Sequence, residues 1–131
     1  MIDPRAIIDP TARLGENVSV GPWTIIGADV EIGDDSHIAS HVVLKGPTRM
    51  GRGNRIFQFA SIGEDTSDLS YDGEPTTLEI GDFNTFREGV NIHRGTTKDA
   101  GRTVIGSHCL LMPYVHVAHD CVIGDHVILA N

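Results

Sequence analysis

Seven histidines occur in 131 residues, and three of them, His93, His116 and His119, crowd the later part of the chain. A neutral imidazole near physiological pH can take a hydroxyl proton when a carboxylate or a backbone acceptor fixes its tautomer. His119 is followed directly by Asp120 and preceded at three residues by His116. It is therefore the candidate general base, with a solvated histidine on a structural edge as the competing reading. The same three histidines could instead be metal ligands that activate water, a different class of chemistry. His37, His41, His108 and His126 fall at outward positions of the repeat described below and read as surface residues. Cys109 and Cys121 are the only cysteines. Both fall at small inward positions, and no Cys-x-x-Cys spacing offers a redox or metal pair, so packing accounts for them better than nucleophilic catalysis.

What must hold such residues in place is a six-residue period. Stepping by six from Ile2 gives Ile8, Leu14, Val20, Ile26, Ile32, Ile38, Leu44, Met50, Ile56 and Ile62, aliphatic at every stop in a chain only 40% hydrophobic. An internal period has to be explained before anything else. A helix would scatter these positions around its circumference, and the intervening Gly-Glu-Asn, Gly-Ala-Asp and Gly-Asp-Asp are turn formers unsuited to helix interiors. Six residues therefore make one short strand and one corner. A glycine tends to follow each stop, as at Gly15, Gly21, Gly33 and Gly51, where the corner demands unusual backbone angles or close approach. Four residues after each stop sits a small one, such as Ala12, Thr24, Ser36 or Ala60. Asn54 and Asn84 replace it in their hexads, and stacked asparagines at a corner are one structural use. Together these positions fill a narrow triangular prism, three hexads per coil. The fold class is all-β: a left-handed parallel β-helix with two excursion loops.

The polar stretch from Glu64 to Thr77 interrupts the rhythm before it resumes at Ile80, Phe86 and Ile92, and Pro75 with Gly73 favours a loop over a degenerate coil. A second break follows His93. The pattern returns at Ile105, Leu111, Val117, Ile123 and Leu129, one residue out of register, so a bulge or loop lies between Arg94 and Thr103. If that loop absorbs seven residues beyond an 18-residue coil, His93 and His119 lie on neighbouring coils of one face; if it absorbs only one, they do not. The spacing leaves both open. Loops on a rigid prism are where function usually sits.

One domain spans 1–131, and its end at Asn131 falls in mid-hexad with no cap over the open coil, the pattern expected of an N-terminal portion of a longer protein. Against 18 Asp and Glu stand 10 Lys and Arg, a formal net charge of -8, which argues against a nucleic-acid surface and against docking on anionic membranes. No apolar run is long enough to be a transmembrane segment, and Met-Ile-Asp-Pro-Arg is no basic leader. Sparse cysteine suits a reducing compartment, so the expectation is cytoplasmic.

Four strings carry a resemblance. Gln58 to Glu64 (QFASIGE), Asp68 to Thr76 (DLSYDGEPT), Ile92 to Thr96 (IHRGT) and His116 to Asp120 (HVAHD) are similar, in order and spacing, to the UDP-N-acetylglucosamine O-acyltransferases of lipid A biosynthesis. The resemblance covers essentially the whole chain. Its Tyr-x-Gly-Glu-Pro-Thr and Ile-His-Arg-Gly-Thr strings are far more specific than the hexads. It implies acyl transfer from an acyl carrier protein thioester to the glucosamine 3-hydroxyl of UDP-N-acetylglucosamine, with no cofactor. His119 would be the general base and Asp120 its support; Asp68 would bind the sugar; His93 and His116 would line the pocket. Ser70 stands where the family usually carries a substrate-holding lysine, which leaves that contact open.

The resemblance also implies a homotrimer with sites between subunits. The last coils, an oxyanion-donating glycine amide and a C-terminal helical domain would lie beyond Asn131. An oxyanion donor is worth about 10²–10³ in turnover, so the chain by itself is expected to be weak or inactive. Docking an acidic carrier protein requires a local basic strip, for which Arg49, Arg52 and Arg55, with Arg87 and Arg94 near the loops, are candidates. Two readings from other classes stand beside this one. A metal-binding hexapeptide protein resembling γ-class carbonic anhydrases would leave the sugar-loop strings without a role, and a non-catalytic β-helix module would make His119 dispensable.

Overall fold

The computed structural model describes residues 1–131, in which the chain winds through eighteen short strands and no helix. Three strands make each coil. The first two coils contain β1 (Ile7–Ile8), β2 (Arg13–Leu14), β3 (Ser19–Val20), β4 (Ile25–Ile26), β5 (Val30–Ile32) and β6 (His37–Ile38). The next two contain β7 (Val43–Leu44), β8 (Thr48–Met50), β9 (Arg55–Ile56), β10 (Ser61–Glu64), β11 (Thr77–Ile80) and β12 (Thr85–Phe86). The last two contain β13 (Asn91–His93), β14 (Arg102–Ile105), β15 (Leu110–Leu111), β16 (His116–Val117), β17 (Val122–Ile123) and β18 (Ile128–Leu129). Strands of like position stack in parallel into three six-stranded sheets: β1-β4-β7-β10-β13-β16 (sheet I), β2-β5-β8-β11-β14-β17 (sheet II) and β3-β6-β9-β12-β15-β18 (sheet III). The result is a left-handed parallel β-helix, as the hexads imply.

Alternation within each strand sends the aliphatic residue inward, as in β5, where Val30 and Ile32 are buried on either side of exposed Glu31. Stacking repeats that choice from coil to coil. Ile8, Ile26, Leu44, Ile62, Ile92 and Val117 pair successively along sheet I. Twenty-two buried hydrophobic residues form one continuous core, and fully burying each aliphatic or aromatic side chain contributes about 1.5–3 kcal/mol. Phe86 is the largest of those wholly excluded from solvent.

The asparagines do stack. Asn84 N donates to Asn54 Oδ1 at 3.0 Å and Cys109 N to Asn84 Oδ1 at 2.8 Å, while the side-chain amide of Asn54 donates to the carbonyls of Gly51 and Gly81 and that of Asn84 to Gly106. Buried backbone groups at this corner thus find partners that the strands are too short to supply. The cysteines take the packing role: Cys109 is in the core and Cys121 lies against it.

Close approach, rather than unusual angles, explains most of the recurrent glycines. A Cβ on Gly15 would stand 2.7 Å from the Asp34 backbone nitrogen, and one on Gly33 2.5 Å from the Gly51 carbonyl carbon. The left-handed position of a corner lies two residues later, where Asn17, Trp23, Asp29 and Asp35 have φ between 57° and 64°. Such angles disfavour any residue but glycine, with Asn and Asp the most tolerant. Where the occupants are aromatic they stack along the prism, Phe83 on His108 at 5.4 Å between centroids and His108 on His126 at 5.1 Å.

Between stacked residues the separation is 18 over most of the prism, 30 across the first interruption and 25 across the second. The first is therefore a loop, 65–76, and the second, 94–101, absorbs the full seven residues. That settles the alternative which the spacing left open: β13 and β16 are hydrogen-bonded neighbours, with Asn91 opposite His116 and Ile92 opposite Val117. Both loops leave the corner where sheet I turns into sheet II.

Candidate active site

Three successive coils meet at that corner, contributing loop 65–76, loop 94–101 and the turn after β16 that carries His119 and Asp120. The turn places Asp120 at a φ of 62°, and its backbone N–H donates to Thr103 Oγ1 at 2.9 Å. The Asp120 carboxylate, 3% exposed, accepts from Thr96 N at 2.9 Å, Thr96 Oγ1 at 2.5 Å and His119 Nδ1 at 2.9 Å. Burial alone would raise its pKa, but the Thr96 and His119 hydrogen bonds outweigh that and hold it below the usual carboxylate range. An ionised carboxylate only accepts, so the His119 proton sits on Nδ1 and the Nε2 lone pair is free.

That lone pair looks across a gap of 3.9 Å to Asp68 Oδ2. Asp68 is fixed within its own loop: Ser70 N and Ser70 Oγ donate to its Oδ1 at 2.8 and 2.7 Å. Its Oδ2 pairs with Lys98 from the second loop. The Lys98 ammonium, and then the two Ser70 bonds, keep the Asp68 carboxyl far below its ordinary value. Ser70 is thus spent on holding Asp68.

Beside this lies an imidazole cluster. The His93 and His116 rings meet edge to face at 4.8 Å, and His116 Nδ1 is 2.5 Å from Asn91 Oδ1, which fixes its tautomer too. Burial, then the nearby His116, push the His93 pKa down, so this ring stays neutral. His93 Nδ1 is buried without a partner. Five of the six residues singled out in the sequence, His119, Asp120, Asp68, His93 and His116, are brought together at this corner, with Ser70 holding Asp68. Within this chain no group of three His, Cys, Asp or Glu is arranged to hold a metal ion. A concavity of about 750 Å³ exists elsewhere, on the outward face of sheet II between Arg13, Glu31, Arg49 and Glu79; none of these site residues lines it.

Arg94 and Thr96 were not singled out for the site, although they belong to the specific Ile-His-Arg-Gly-Thr string. Arg94, expected in a basic strip, is instead buried at 5% exposure. It donates to Gly63 O at 2.6 Å, Asp65 Oδ1 at 2.5 Å and Tyr71 Oη at 2.9 Å, and Tyr71 Oη in turn donates to Glu74 O. It clamps the first loop. A Cβ on Gly95 would stand 2.1 Å from Arg102 N, so only glycine lets the strand pass there, and Thr96 grips Asp120. The remaining strip is also largely cancelled: Arg49 pairs with Glu31 at 3.5 Å and Arg52 with Asp35 at 2.6 Å. Arg87 pairs with Glu88 at 3.0 Å, which leaves Arg55 without a carboxylate partner; Arg55 and Arg87 flank the Phe57 ring at 5.6 and 4.4 Å.

Arg94→Met is expected to release the first loop while leaving the prism folded. Lost bonds to a charged group cost about 1.5–3 kcal/mol, all of it local. Limited proteolysis should then cut within 65–76 at least tenfold faster than in the unaltered chain, with the global unfolding midpoint little changed; equal cutting rates would remove Arg94 from its clamping role.

The family profile for the bacterial transferase hexapeptide, six repeats, matches residues 11–46 and 102–131. Over 131 residues the chain is 66% identical to the acyl-(acyl-carrier-protein)–UDP-N-acetylglucosamine O-acyltransferase of Stutzerimonas stutzeri, covering 100% of this chain and 51% of that protein. It is 62% identical over 130 residues to the enzyme of the same name from Saccharophagus degradans, covering 99% of this chain and 50% of the other. Among solved structures, LpxA from Acinetobacter baumannii superposes with a TM-score of 0.98 at 54% identity, covering 99% of this chain and 50% of that one. The chain thus spans about half the length of the curated relatives it matches.

Proposed function

The chain belongs to the bacterial transferase hexapeptide family, and from that premise we propose that it carries the general-base half of an acyltransferase that moves a 3-hydroxyacyl group from acyl carrier protein to the 3-hydroxyl of UDP-N-acetylglucosamine. The observation that carries this reading is the His119–Asp120 pair, with Nδ1 bound to a buried, ionised carboxylate and Nε2 free opposite Asp68. Identities of 62% and 66% to enzymes of that name support the substrate assignment.

The step is direct. The sugar hydroxyl, donating to His119 Nε2, loses its proton to that nitrogen as its oxygen attacks the thioester carbonyl, while Asp68 accepts from another donor of the sugar. Asp120 stabilises the imidazolium formed. Collapse of the tetrahedral intermediate breaks the carbon–sulfur bond, and the thiolate takes the proton back from Nε2. No acyl-enzyme is needed, in keeping with Cys109 buried and its Sγ 3.1 Å from Gly124 O. His93 and His116 stand beside the reacting groups, and Arg55, with Arg87 across the Phe57 ring, is the candidate basic surface for a carrier protein. We further infer a homotrimer: Ile7, Ile25, Trp23, Phe59 and Tyr114 leave an apolar strip exposed along sheet I and its adjoining corner. A cytoplasmic setting accords with these substrates; no helix is long and apolar enough to cross a membrane.

The test is mass-spectrometric detection of UDP-3-O-acyl-N-acetylglucosamine from UDP-N-acetylglucosamine and 3-hydroxyacyl carrier protein. It should be run on this chain and on a version extended at the C-terminus to the length of its relatives. Product from the extended protein is the expected outcome, with little or none from the 131-residue chain. A folded, extended protein that makes no product would sink the reading and shift weight to metal binding or a scaffold.

A further inference from the structure

One cation among the site's loops is open to solvent. Lys98, in loop 94–101, pairs its ammonium with Asp68 Oδ2 and is 58% exposed. Arg94, on the same loop, is buried and committed to Gly63, Asp65 and Tyr71. The other polar side chains beside the pair are the carboxylates of Asp68 and Asp120, which only accept, and the imidazoles of His93, His116 and His119. Although the Asp68 side chain is only 13% exposed, the ammonium itself lies largely in solvent, where an ion pair contributes little to folding, so the placement of Lys98 calls for another explanation.

The needs of the acceptor supply one. A nucleotide sugar brings hydroxyl donors, which Asp68 and His119 Nε2 can accept, and also phosphate and carbonyl oxygens, which require a donor that neither can offer. The first loop does not supply it, because Ser70 spends both its N–H and its hydroxyl on Asp68 Oδ1. The ammonium comes from the second loop, reaching the other oxygen of the same carboxylate, and that oxygen is the one facing His119.

Resting on the function proposed above, we propose that Lys98 is the acceptor-positioning cation of this site. Held by Asp68 at the edge of the gap before His119 Nε2, its ammonium binds an oxygen acceptor of the nucleotide sugar and sets the sugar hydroxyl against the base. Lys98 touches the acceptor and not the acyl donor.

Steady-state kinetics on the C-terminally extended protein test this, with unaltered protein, Lys98→Met and Lys98→Arg side by side. Lys98→Met is expected to raise KM for UDP-N-acetylglucosamine about tenfold or more, with kcat at saturating sugar and KM for the carrier thioester each changed less than about threefold. Lys98→Arg, which keeps the charge and donors, should recover most of that loss. A Lys98→Met KM within about twofold of the unaltered value overturns the proposal. So does a fall in kcat that Lys98→Arg fails to recover, since that is the signature of a damaged loop. If the unaltered extended protein makes no product, the functional reading falls and this inference with it, whereas an active protein indifferent to Lys98→Met removes the inference alone.

Discussion

His119→Ala, in the C-terminally extended protein, is expected to lower turnover by about 10²–10⁴, the range general acid–base catalysis usually supplies. The side chain is 33% exposed, and its polar neighbours are Asp120 and Asp68. It is absent from the hydrophobic core. Removal costs one hydrogen bond to the buried Asp120 carboxylate, which Thr96 still holds, so unfolding should shift by no more than about 1.5–3 kcal/mol, and a loss of activity measured at equal folded fraction can be assigned to chemistry. KM for the sugar should move less than kcat, because the proton is taken only as the transition state forms. Turnover retained within about tenfold would mean that the base lies elsewhere, with His93 and His116 the next to examine.

Phe86→Ala is the matching prediction for the scaffold. Phe86 lies on β12, within sheet III, paired with Ile56 on one side and Leu111 on the other, and is wholly excluded from solvent. A prism this narrow leaves little room to close around a missing ring, so the loss should reach the upper part of the usual range of about 3–5 kcal/mol. Denaturant unfolding should show a lower midpoint at an unchanged slope. A loss below about 1 kcal/mol would mean that the coil collapses around the vacancy. The site lies at the corner between the other two sheets, so in the C-terminally extended protein activity at low temperature should survive in whatever fraction remains folded.

The scaffold was legible because one side-chain periodicity controls it. Every stop of six residues lands on an inward position of the next face, and every third stop returns to the same column, with the small residue four later turned inward as well, so strand, corner and core could be read from Ile2 to Ile62 without a partner sequence. The register across the second loop could not, since an aliphatic stop looks alike whether one residue or seven are looped out. Only the pairing of Ile92 with Val117 decides it. Arg94 was misjudged for a related reason: exposure is the usual state of an arginine, and what buries this one is a set of acceptors, Gly63 O, Asp65 and Tyr71, as much as 31 residues away in sequence. The corner glycines were visible, but which of two demands they meet depends on how closely successive coils approach. Of the site itself, His119 and Asp120 stood out by adjacency, whereas Lys98 had no local signal; its meaning comes from Asp68 across the loops.

Loops 65–76 and 94–101 spring from the same corner, and strand pairing runs unbroken past both, Ile62 to Ile92 and Ile92 to Val117. Neither loop carries the register of the coils it joins. Doubling the length of such an excursion costs only about 0.6 kcal/mol in closure entropy, small beside what the stacked coils contribute. Recognition can therefore diverge at this corner by insertion, deletion or wholesale exchange while the prism stays the same, and a lineage could acquire a new acceptor without first acquiring a new fold.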